Sequence, residues 1–357
     1  HKVKVTQGYC ARLLVPATIS AMSVGPKAVL ITGASGYLGQ HLLSSLCENT
    51  RTCAKDEDAS PVPFRIVAAY GSLDSFAADF ASSDLSENSS VSVTLVGGVD
   101  LSDRPCVESL FATHGPFDCV VNLAAVSSPG VCQKSPELAQ AVNCPAPLVD
   151  ALRDATDTCI IHLSTDQVYA GTDAPYKETD EARPVHVYGD SKVAFEKELL
   201  RKFPSSAVAL RSSLILGPPT PFRCRKQTFL QFVEGRLTRN EETMFYTDEY
   251  RSVVYVGDVI RVIRHFLESG IGDQDSGVYN MGGSDSASRL DIVDALAKQC
   301  DFDSGCARGV ERASLPPGDV PSPLDISMDI SKLTNVTGIK FCGLDEIIRR
   351  TFPKSKN

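Results

Sequence analysis

Short apolar runs alternate with amphipathic stretches along the first two thirds of the chain. Apolar runs rich in Val, Ile and Leu are typical of strands that are buried on both faces of a parallel sheet. They predict strands over residues 27–32, 64–70, 91–96, 117–125, 159–163 and 207–216. Apolar residues at helical spacing predict helices over residues 37–47, 103–114, 137–155 and 188–203. This alternation predicts an α/β fold with a doubly wound parallel sheet.

The alternation weakens after Gly217, and the rest of the chain predicts a second, smaller lobe. Its helices are expected over residues 227–235, 257–269 and 289–299. We therefore divide the chain into a sheet domain over residues 27–217 and a lobe made mainly of residues 218–357. The lobe is expected to lie over the carboxyl edge of the sheet, where open α/β sheets bind ligands.

Two polar segments and two prolines interrupt the predicted elements. Residues 49–63 and 79–90 are polar or charged, and we expect both to be loop insertions. Pro145 and Pro147 fall inside the third predicted helix and predict a break there, because proline cannot donate a backbone hydrogen bond.

The N-terminal segment, residues 1–26, is expected to be a disordered extension. Its first 21 residues contain no acidic residue, as in an organellar transit peptide. The alternative is upstream sequence that precedes a start at Met22. We favour this alternative because the segment has one arginine and few serines.

A glycine-rich loop joins the first predicted strand to the first predicted helix. Its spacing is Gly-x-x-Gly-x-x-Gly, and it provides a tight turn, close backbone approach to a pyrophosphate and close helix packing. The N-terminus of the following helix presents N–H groups to an anion. A glycine turn without a ligand is the alternative, but the strand–loop–helix context favours a nucleotide. The residues expected at the nucleotide are Gly33, Ser35, Gly36, Tyr37, Leu38 and Gly39.

The choice between NAD and NADP depends on the residues after the second predicted strand. This strand ends at Tyr70, Gly71 and Ser72, with neither a carboxylate nor an arginine. Ser72 can bond to a ribose hydroxyl or to a 2′-phosphate. Since no carboxylate is present to repel the phosphate, NADP is slightly preferred to NAD.

Residues after the next two predicted strands are further candidates for cofactor contacts. Asp100 and Leu101 follow the third strand, where the carboxylate lies either beside the adenine or in a solvated turn. Ala124 and Ala125 end the fourth strand, and their small side chains let a cofactor lie close to the backbone.

Tyr188 and Lys192 are the most informative pair in the chain. Tyr188 is the only one of the ten tyrosines that has lysine at the fourth following position, and on a helix such side chains share one face. A neighbouring ammonium favours the phenolate, so we expect a lowered pKa for Tyr188 and a role in proton transfer. Thr165, after the fifth strand, is expected to donate to a substrate carbonyl. An exposed helix pair and a Ser-Thr-Asp turn are the alternatives. Together with the glycine loop, these residues predict carbonyl reduction or alcohol oxidation.

Composition and charge argue against several other classes of protein. The net charge of −9 argues against non-specific binding of nucleic acid. No apolar run approaches the length of a membrane span, and we expect a cytoplasmic protein. The twelve cysteines are scattered singly, without a Cys-x-x-Cys motif. This pattern predicts buried, reduced thiols and neither a metal site nor a disulfide framework.

The chain resembles the extended short-chain dehydrogenase/reductase superfamily. The resemblance is carried by residues 33–39, 122–125, 164–166 and 188–192. A more specific resemblance, carried by residues 164–171, 175–180 and 188–189, is to the dTDP-4-dehydrorhamnose reductase branch. The regulatory β-subunit of methionine adenosyltransferase is similar in the same segments. The resemblance spans about residues 27–350 and weakens after Pro218.

The resemblance implies a Rossmann-type fold and an NAD(P)H-dependent reductase of a keto group. The implied substrate is a nucleotide sugar such as dTDP-4-dehydrorhamnose. Thr165, Tyr188 and Lys192 match the catalytic residues of the family. In this comparison Lys192 binds the nicotinamide ribose, and Tyr188 protonates the carbonyl oxygen.

The resemblance also implies two binding residues and two alternative functions. Ser213 lies in a segment that matches the lining of the nicotinamide site, and Arg251 matches a position that faces substrate. For Arg251 the alternative is a buried structural ion pair, with Asp258 as the candidate partner. The first alternative function is an NADP-binding regulatory subunit, whose partner is the methionine adenosyltransferase catalytic subunit. The second is a nucleotide-sugar epimerase with tightly held NAD.

Overall fold

The computed structural model describes residues 26–48, 63–71, 74–87, 91–155, 157–224, 228–316 and 318–354. Within them, the strands are β1 (Lys27–Thr32), β2 (Phe64–Ala69), β3 (Val91–Val96), β4 (Cys119–Asn122), β5 (Cys159–Thr165), β6 (Ala207–Ser212), β7 (Ile215–Leu216), β8 (Thr243–Tyr246), β9 (Val254–Tyr255), β10 (Gly277–Met281) and β11 (Ala307–Val310). The α-helices are α1 (Tyr37–Cys47), α2 (Asp74–Ala81), α3 (Arg104–His114), α4 (Pro129–Lys134), α5 (Pro136–Asn143), α6 (Ala146–Asp154), α7 (Val187–Lys202), α8 (Phe229–Thr238), α9 (Val256–Ser269), α10 (Arg289–Cys300), α11 (Ser331–Thr337) and α12 (Leu344–Thr351). None of these helices is long and apolar enough to cross a membrane.

The main sheet has seven strands in the order β10-β6-β5-β4-β1-β2-β3, and every neighbouring pair is parallel. Parallel strands bring their carboxyl ends to one edge of the sheet. The strand order reverses between β1 and β4, which is where open α/β sheets bind ligands. The register places Thr32, Asn122 and His162 side by side on β1, β4 and β5 close to this edge.

Helices cover both faces of the sheet, as expected for strands that are apolar throughout. One face packs against α1, α2, α9 and α11, and the core there includes Leu42, Phe76 and Ile263. The other face packs against α3, α6 and α7, where Leu110 and Phe195 are buried. The predicted doubly wound parallel sheet is therefore confirmed.

Residues after Gly217 form a smaller lobe and also complete the sheet. Helices α8, α10 and α12 share an apolar core of their own with the two-stranded sheet of β8 and β11. The chain then returns to the first domain, because α9 packs on the α1 face and β10 pairs with β6. Residues 254–281 thus belong to the sheet domain in space, although they follow the lobe's first helix in sequence.

Most of the predicted elements occur close to their predicted bounds. The predicted break in residues 137–155 is confirmed, since α5 ends at Asn143 and α6 begins at Ala146. The prediction of a loop over residues 79–90 is wrong in its first part. Helix α2 runs to Ala81 and a 3-10 helix follows at Asp84–Glu87, because Phe76 and Phe80, four residues apart, are buried against the sheet. Residues 1–25 and 49–62 lie outside the described residues.

Ile263→Ala tests whether α9 is part of the core of the sheet domain. The Ile263 side chain is fully buried, so truncation removes apolar contacts and leaves a cavity. We expect the free energy of unfolding to fall by about 2–5 kcal/mol in urea denaturation. Leu138→Ala on α5 is the control, because this side chain is 48% exposed and its loss is expected to change stability by about 0.5 kcal/mol or less. Equal effects of the two substitutions would contradict the packing described for α9.

Candidate active site

The loop between β1 and α1 requires glycine for two separate reasons. Gly33 has φ of +67°, a left-handed conformation that side-chain-bearing residues rarely adopt. A Cβ at Gly33 would also lie 2.8 Å from the backbone nitrogen of Ala124, and one at Gly39 would lie 2.8 Å from the Cα of Ala34. The turn, the end of β4 and the first turn of α1 therefore approach each other with no room for side chains.

The N-terminus of α1 opens at the end of this loop. Gly36 is its N-cap, and within this described helix start no side chain caps the helix and no acidic residue occupies the first turn. The first N–H groups of the helix and its positive dipole end are therefore available to an anion.

A cavity of about 530 Å³ connects the glycine loop with the start of α7. This volume is within the range of small-molecule sites. Nine residues predicted from the sequence line it: Gly33, Ser35, Gly36, Tyr37, Leu38, Gly39, Ala125, Tyr188 and Lys192. The structure adds six that sequence reasoning missed: Gly71, Leu123, Ser127, Leu163, Ile215 and Cys224. Most of these residues lie at or just after the end of a predicted strand, and this position could have identified them as candidates. Cys224 lies beyond β7 and had no such signal.

Tyr188 and Thr165 meet at the inner wall of this cavity. Thr165 ends β5 and is buried, and its hydroxyl lies near the Tyr188 phenol. Its hydroxyl also accepts from the backbone N–H of Gln167 at 3.2 Å and donates to Asp166 Oδ1 at 3.3 Å. Thr165 itself is not among the residues that line the cavity.

The expected lowering of the Tyr188 pKa by Lys192 is wrong for this structure. Burial raises the pKa of Tyr188, and the hydrogen bond with Thr165 opposes this only in part. The Lys192 Nζ is directed toward His162, with 3.3 Å to its Nε2. Burial, opposed by the nearby carboxylate of Glu196, lowers the pKa of Lys192 to about 8. The phenol of Tyr188 is thus protonated at neutral pH.

A buried ion pair supports the end of β5 behind the catalytic candidates. Glu196, one helical turn beyond Lys192 on α7, accepts hydrogen bonds from two guanidinium nitrogens of Arg211, the shortest of 2.7 Å. The Ser164 hydroxyl also donates to Glu196. Arg211 further donates to the hydroxyl of Tyr169 at 2.9 Å. The helix that carries Tyr188 is therefore tied to both β5 and β6.

Several other predicted site residues lie outside the cavity wall. Asp100 is exposed, and its carboxylate accepts from the backbone N–H and hydroxyl of Ser102 at 2.8 and 2.6 Å. Leu101 is buried in the core under α3. Ala124 packs its backbone against Gly33, so its contribution is to the loop. Ser72 lies outside the described residues.

Ser213 and Arg251 both face the buried carboxylate of Asp166. The Ser213 hydroxyl donates to Asp166 Oδ2 at 2.8 Å. Burial raises the pKa of Asp166, and the positive charge of Arg251 opposes that effect. Through Asp166, Ser213 is connected to Thr165 and not directly to the cavity.

Arg251 is held by backbone carbonyls. Its guanidinium donates to the carbonyl oxygens of Tyr250, Leu324 and Pro323 at 2.7–2.9 Å, and its ion-pair partner is Glu249 at 3.7 Å. The prediction that Asp258 is the ion-pair partner of Arg251 is wrong. The carboxylate of Asp258 instead pairs with Arg261, because these two residues lie three apart on α9.

Comparisons with known proteins agree with this architecture. The sequence matches the family described as RmlD substrate binding domain over residues 27–356. The dTDP-4-dehydrorhamnose reductase of Aggregatibacter actinomycetemcomitans is 26% identical over 330 residues, which cover 87% of this chain and 94% of that protein. Methionine adenosyltransferase 2 subunit beta of Xenopus tropicalis is 26% identical over 240 residues, 67% of this chain and 70% of that protein. The crystal structure of a Bacillus anthracis dTDP-4-dehydrorhamnose reductase in complex with NADP has a TM-score of 0.70 at 17% identity, covering 93% of this chain and 99% of that one. At this identity the structural likeness shows a shared fold.

Gly33→Ala tests the glycine loop as the binding element for the cofactor predicted from the sequence. The new Cβ would clash with the backbone of Ala124, which pushes the loop into the cavity. We expect the affinity for NADPH to fall at least about ten-fold, equivalent to about 1.4 kcal/mol, in a fluorescence titration.

The matched control is Gly270→Ala. Gly270 also has positive φ, +83°, but a Cβ there meets no atom within 4 Å. Both substitutions should destabilise the fold by about 1–2 kcal/mol through backbone strain, whereas only Gly33→Ala should weaken NADPH binding. Loss of binding in both variants would mean that strain, and not the local clash, is responsible.

Proposed function

The chain belongs to the RmlD substrate binding domain family, and on this basis we propose that it is an NADPH-dependent reductase of a keto group on a nucleotide sugar. One observation carries the proposal: a single cavity is lined both by the open N-terminus of α1 with its glycine loop and by Tyr188 and Lys192. A phosphate-binding element and a candidate proton donor thus line the same cavity.

The cavity suits a dinucleotide that carries an additional phosphate. None of its described lining residues is a carboxylate. An anionic 2′-phosphate therefore meets no repelling charge, which favours NADP over NAD. The glycine loop and the α1 N-terminus would hold the pyrophosphate, and the bound cofactor supplies the hydride for the keto carbon.

Tyr188 is proposed as the acid that protonates the carbonyl oxygen. Its raised pKa keeps the phenol protonated at neutral pH, and the contact with Thr165 orients the hydroxyl. The proton moves from the phenol to the oxygen as negative charge develops there, so the alcohol forms without a free alkoxide. Thr165, buried near the phenol, acts in this proposal through Tyr188.

Lys192 is proposed to bind the ribose hydroxyls next to the nicotinamide. Lys192 lines the cavity, and the nearby carboxylate of Glu196 on α7 is engaged by Arg211. The ammonium is then free to donate into the cavity. Because the pKa of Lys192 is about 8, we expect this contact to weaken as the pH rises above that value.

Oxidation of NADPH in the presence of keto sugars tests this function. The purified protein is offered dTDP-4-dehydrorhamnose and a panel of other 4-keto nucleotide sugars, and absorbance at the nicotinamide band is followed. We expect turnover with at least one of them. Tyr188→Phe, which removes only the phenolic hydroxyl, should lower kcat by about 10²–10⁴-fold with little change in NADPH affinity.

Tyr246→Phe is the control for that substitution. Tyr246 lies on β8 in the smaller lobe, away from the cavity lining, and its variant should retain wild-type kcat. If wild type and Tyr188→Phe reduce the same substrate at equal rates, Tyr188 is not the acid. If NAD copurifies and sugars are interconverted without net NADPH consumption, the protein is an epimerase.

A second candidate function is regulation of a methionine adenosyltransferase catalytic subunit. The sequence similarity to the Xenopus tropicalis subunit beta favours it, since that match extends over 67% of this chain. Size-exclusion chromatography of the mixed proteins, with assay of the catalytic subunit, tests it. Co-elution with a changed KM, combined with no turnover of any keto sugar, would replace the reductase by this function.

A further inference from the structure

A chain of four buried polar side chains runs through the sheet to Lys192. It begins at Thr32 on β1, passes through Asn122 on β4 and His162 on β5, and ends at Lys192 on α7. The three contacts are 2.7, 3.2 and 3.3 Å long. Each of the four residues is at most 1% exposed.

The direction of the first hydrogen bond is set by the backbone. The Thr32 hydroxyl oxygen accepts from the backbone N–H groups of Leu123 and Ala124, at 3.2 and 3.3 Å. A backbone N–H can only donate, so the direction of these two hydrogen bonds is fixed, and together they use both lone pairs of the hydroxyl oxygen. The single hydroxyl hydrogen of Thr32 is therefore donated to Asn122, and the atom of Asn122 that faces it is the carbonyl oxygen Oδ1.

The orientation of the Asn122 amide then sets which ring nitrogen of His162 accepts a hydrogen bond. With Oδ1 toward Thr32, the amide nitrogen of Asn122 faces Nδ1 of His162 and donates to it. A neutral ring whose Nδ1 accepts carries its hydrogen on Nε2. The ring of Phe195 packs edge-on against the imidazole at 4.7 Å between centroids and holds it in this orientation. The Nε2–H thus points at the Nζ of Lys192.

This arrangement distinguishes the two protonation states of Lys192. A neutral amine has a lone pair and accepts from Nε2–H, whereas an ammonium has none and repels it. To accept from an ammonium, the ring must move its hydrogen to Nδ1 and give up the bond from Asn122. We propose that His162 controls the protonation of Lys192 through its tautomer, which Asn122 selects. The inference deepens the proposed function, since it makes His162 a positioning residue for the cofactor-binding lysine.

The other groups around Lys192 leave His162 in this controlling position. On α7, the carboxylate of Glu196 favours the ammonium but is itself paired with Arg211, and the Tyr188 phenol is neutral. The thiol of Cys132 on α4 also lies near. Burial, reinforced by the charge of Lys192 and only partly opposed by the backbone of Asn122, holds the pKa of His162 well below its usual range. The imidazole therefore stays neutral while Lys192 gains or loses its proton. What changes in the ring is which of its two nitrogens carries the hydrogen.

Two substitutions change the tautomer in a defined way. Asn122→Asp keeps an oxygen toward Thr32 but places a second oxygen at Nδ1, which selects the Nδ1–H tautomer and a lone pair on Nε2. Thr32→Val adds no charge and removes the hydroxyl that fixes the amide, so the ring is free to change tautomer. Both should stabilise the ammonium of Lys192. We expect the alkaline limb of kcat/KM to move upward in both variants, by about one pH unit in Asn122→Asp, which gives about ten-fold more activity than wild type above the limb.

Nitrogen-15 NMR of the cofactor-free protein provides a readout that does not depend on turnover. The signals of His162 are assigned by their loss in His162→Gln. In wild type at pH 9.5 we expect hydrogen on Nε2, with a shift toward the Nδ1–H form as Lys192 gains its proton on acidification. In Asn122→Asp we expect the Nδ1–H form throughout.

A wild-type ring with its hydrogen on Nδ1 at pH 9.5 would overturn the inference. Alkaline limbs that stay in place in both variants would do the same. If no keto sugar is turned over but the tautomer behaves as described, the proposed function fails and the control of Lys192 by His162 stands, with the pH dependence of NADPH affinity as its readout.

Discussion

The burial of the Lys192 charge against the sheet is the constraint on which the rest of the site depends. An unpaired cation in a protein interior costs several kcal/mol, so it persists only where other groups offset that cost. Here a tautomer-dependent contact with His162 and the carboxylate of Glu196 surround the lysine. The helix that carries Lys192 cannot shift along β5 without losing both, and this fixes the position of Tyr188 one turn earlier.

The glycine loop is subject to a steric constraint, in addition to the electrostatic constraint on Lys192. Gly33 and Gly39 leave no space for a Cβ, and the end of β4 packs directly on the loop. Thr32, the last residue of β1, accepts from the backbone N–H groups that follow β4 and also starts the polar chain to His162. The geometry of the glycine loop and the charge on Lys192 are thus connected through a single threonine.

Sequence patterns predicted the parts of this site that are local in the chain. The glycine loop, the Tyr188–Lys192 spacing and the parallel strands all have short-range signatures, and the structure brings them to one cavity. Helix α7 shows the limit of such reasoning. Tyr188, Lys192 and Glu196 form a polar stripe that pattern alone assigns to solvent, yet all three are buried because β5 and β6 provide partners. The pKa of Tyr188 was predicted in the wrong direction for the same reason, since burial acts more strongly than a neighbouring charge that is directed elsewhere. Two of the three carbonyls around Arg251, those of Pro323 and Leu324, lie 72 and 73 residues away in the sequence, and no local pattern reveals them.

The central claim is that the cavity brings a hydride donor and the Tyr188 phenol to one carbonyl group. Isotope transfer tests it most directly. The protein is incubated with dTDP-4-dehydrorhamnose and NADPH that carries deuterium at both hydrogen positions of C4 of the nicotinamide, and the product is analysed by mass spectrometry. The account predicts one deuterium, bound at the carbon that carried the keto group. A reduced product without deuterium, or no reduced product from any 4-keto nucleotide sugar while NADPH remains bound, would contradict it.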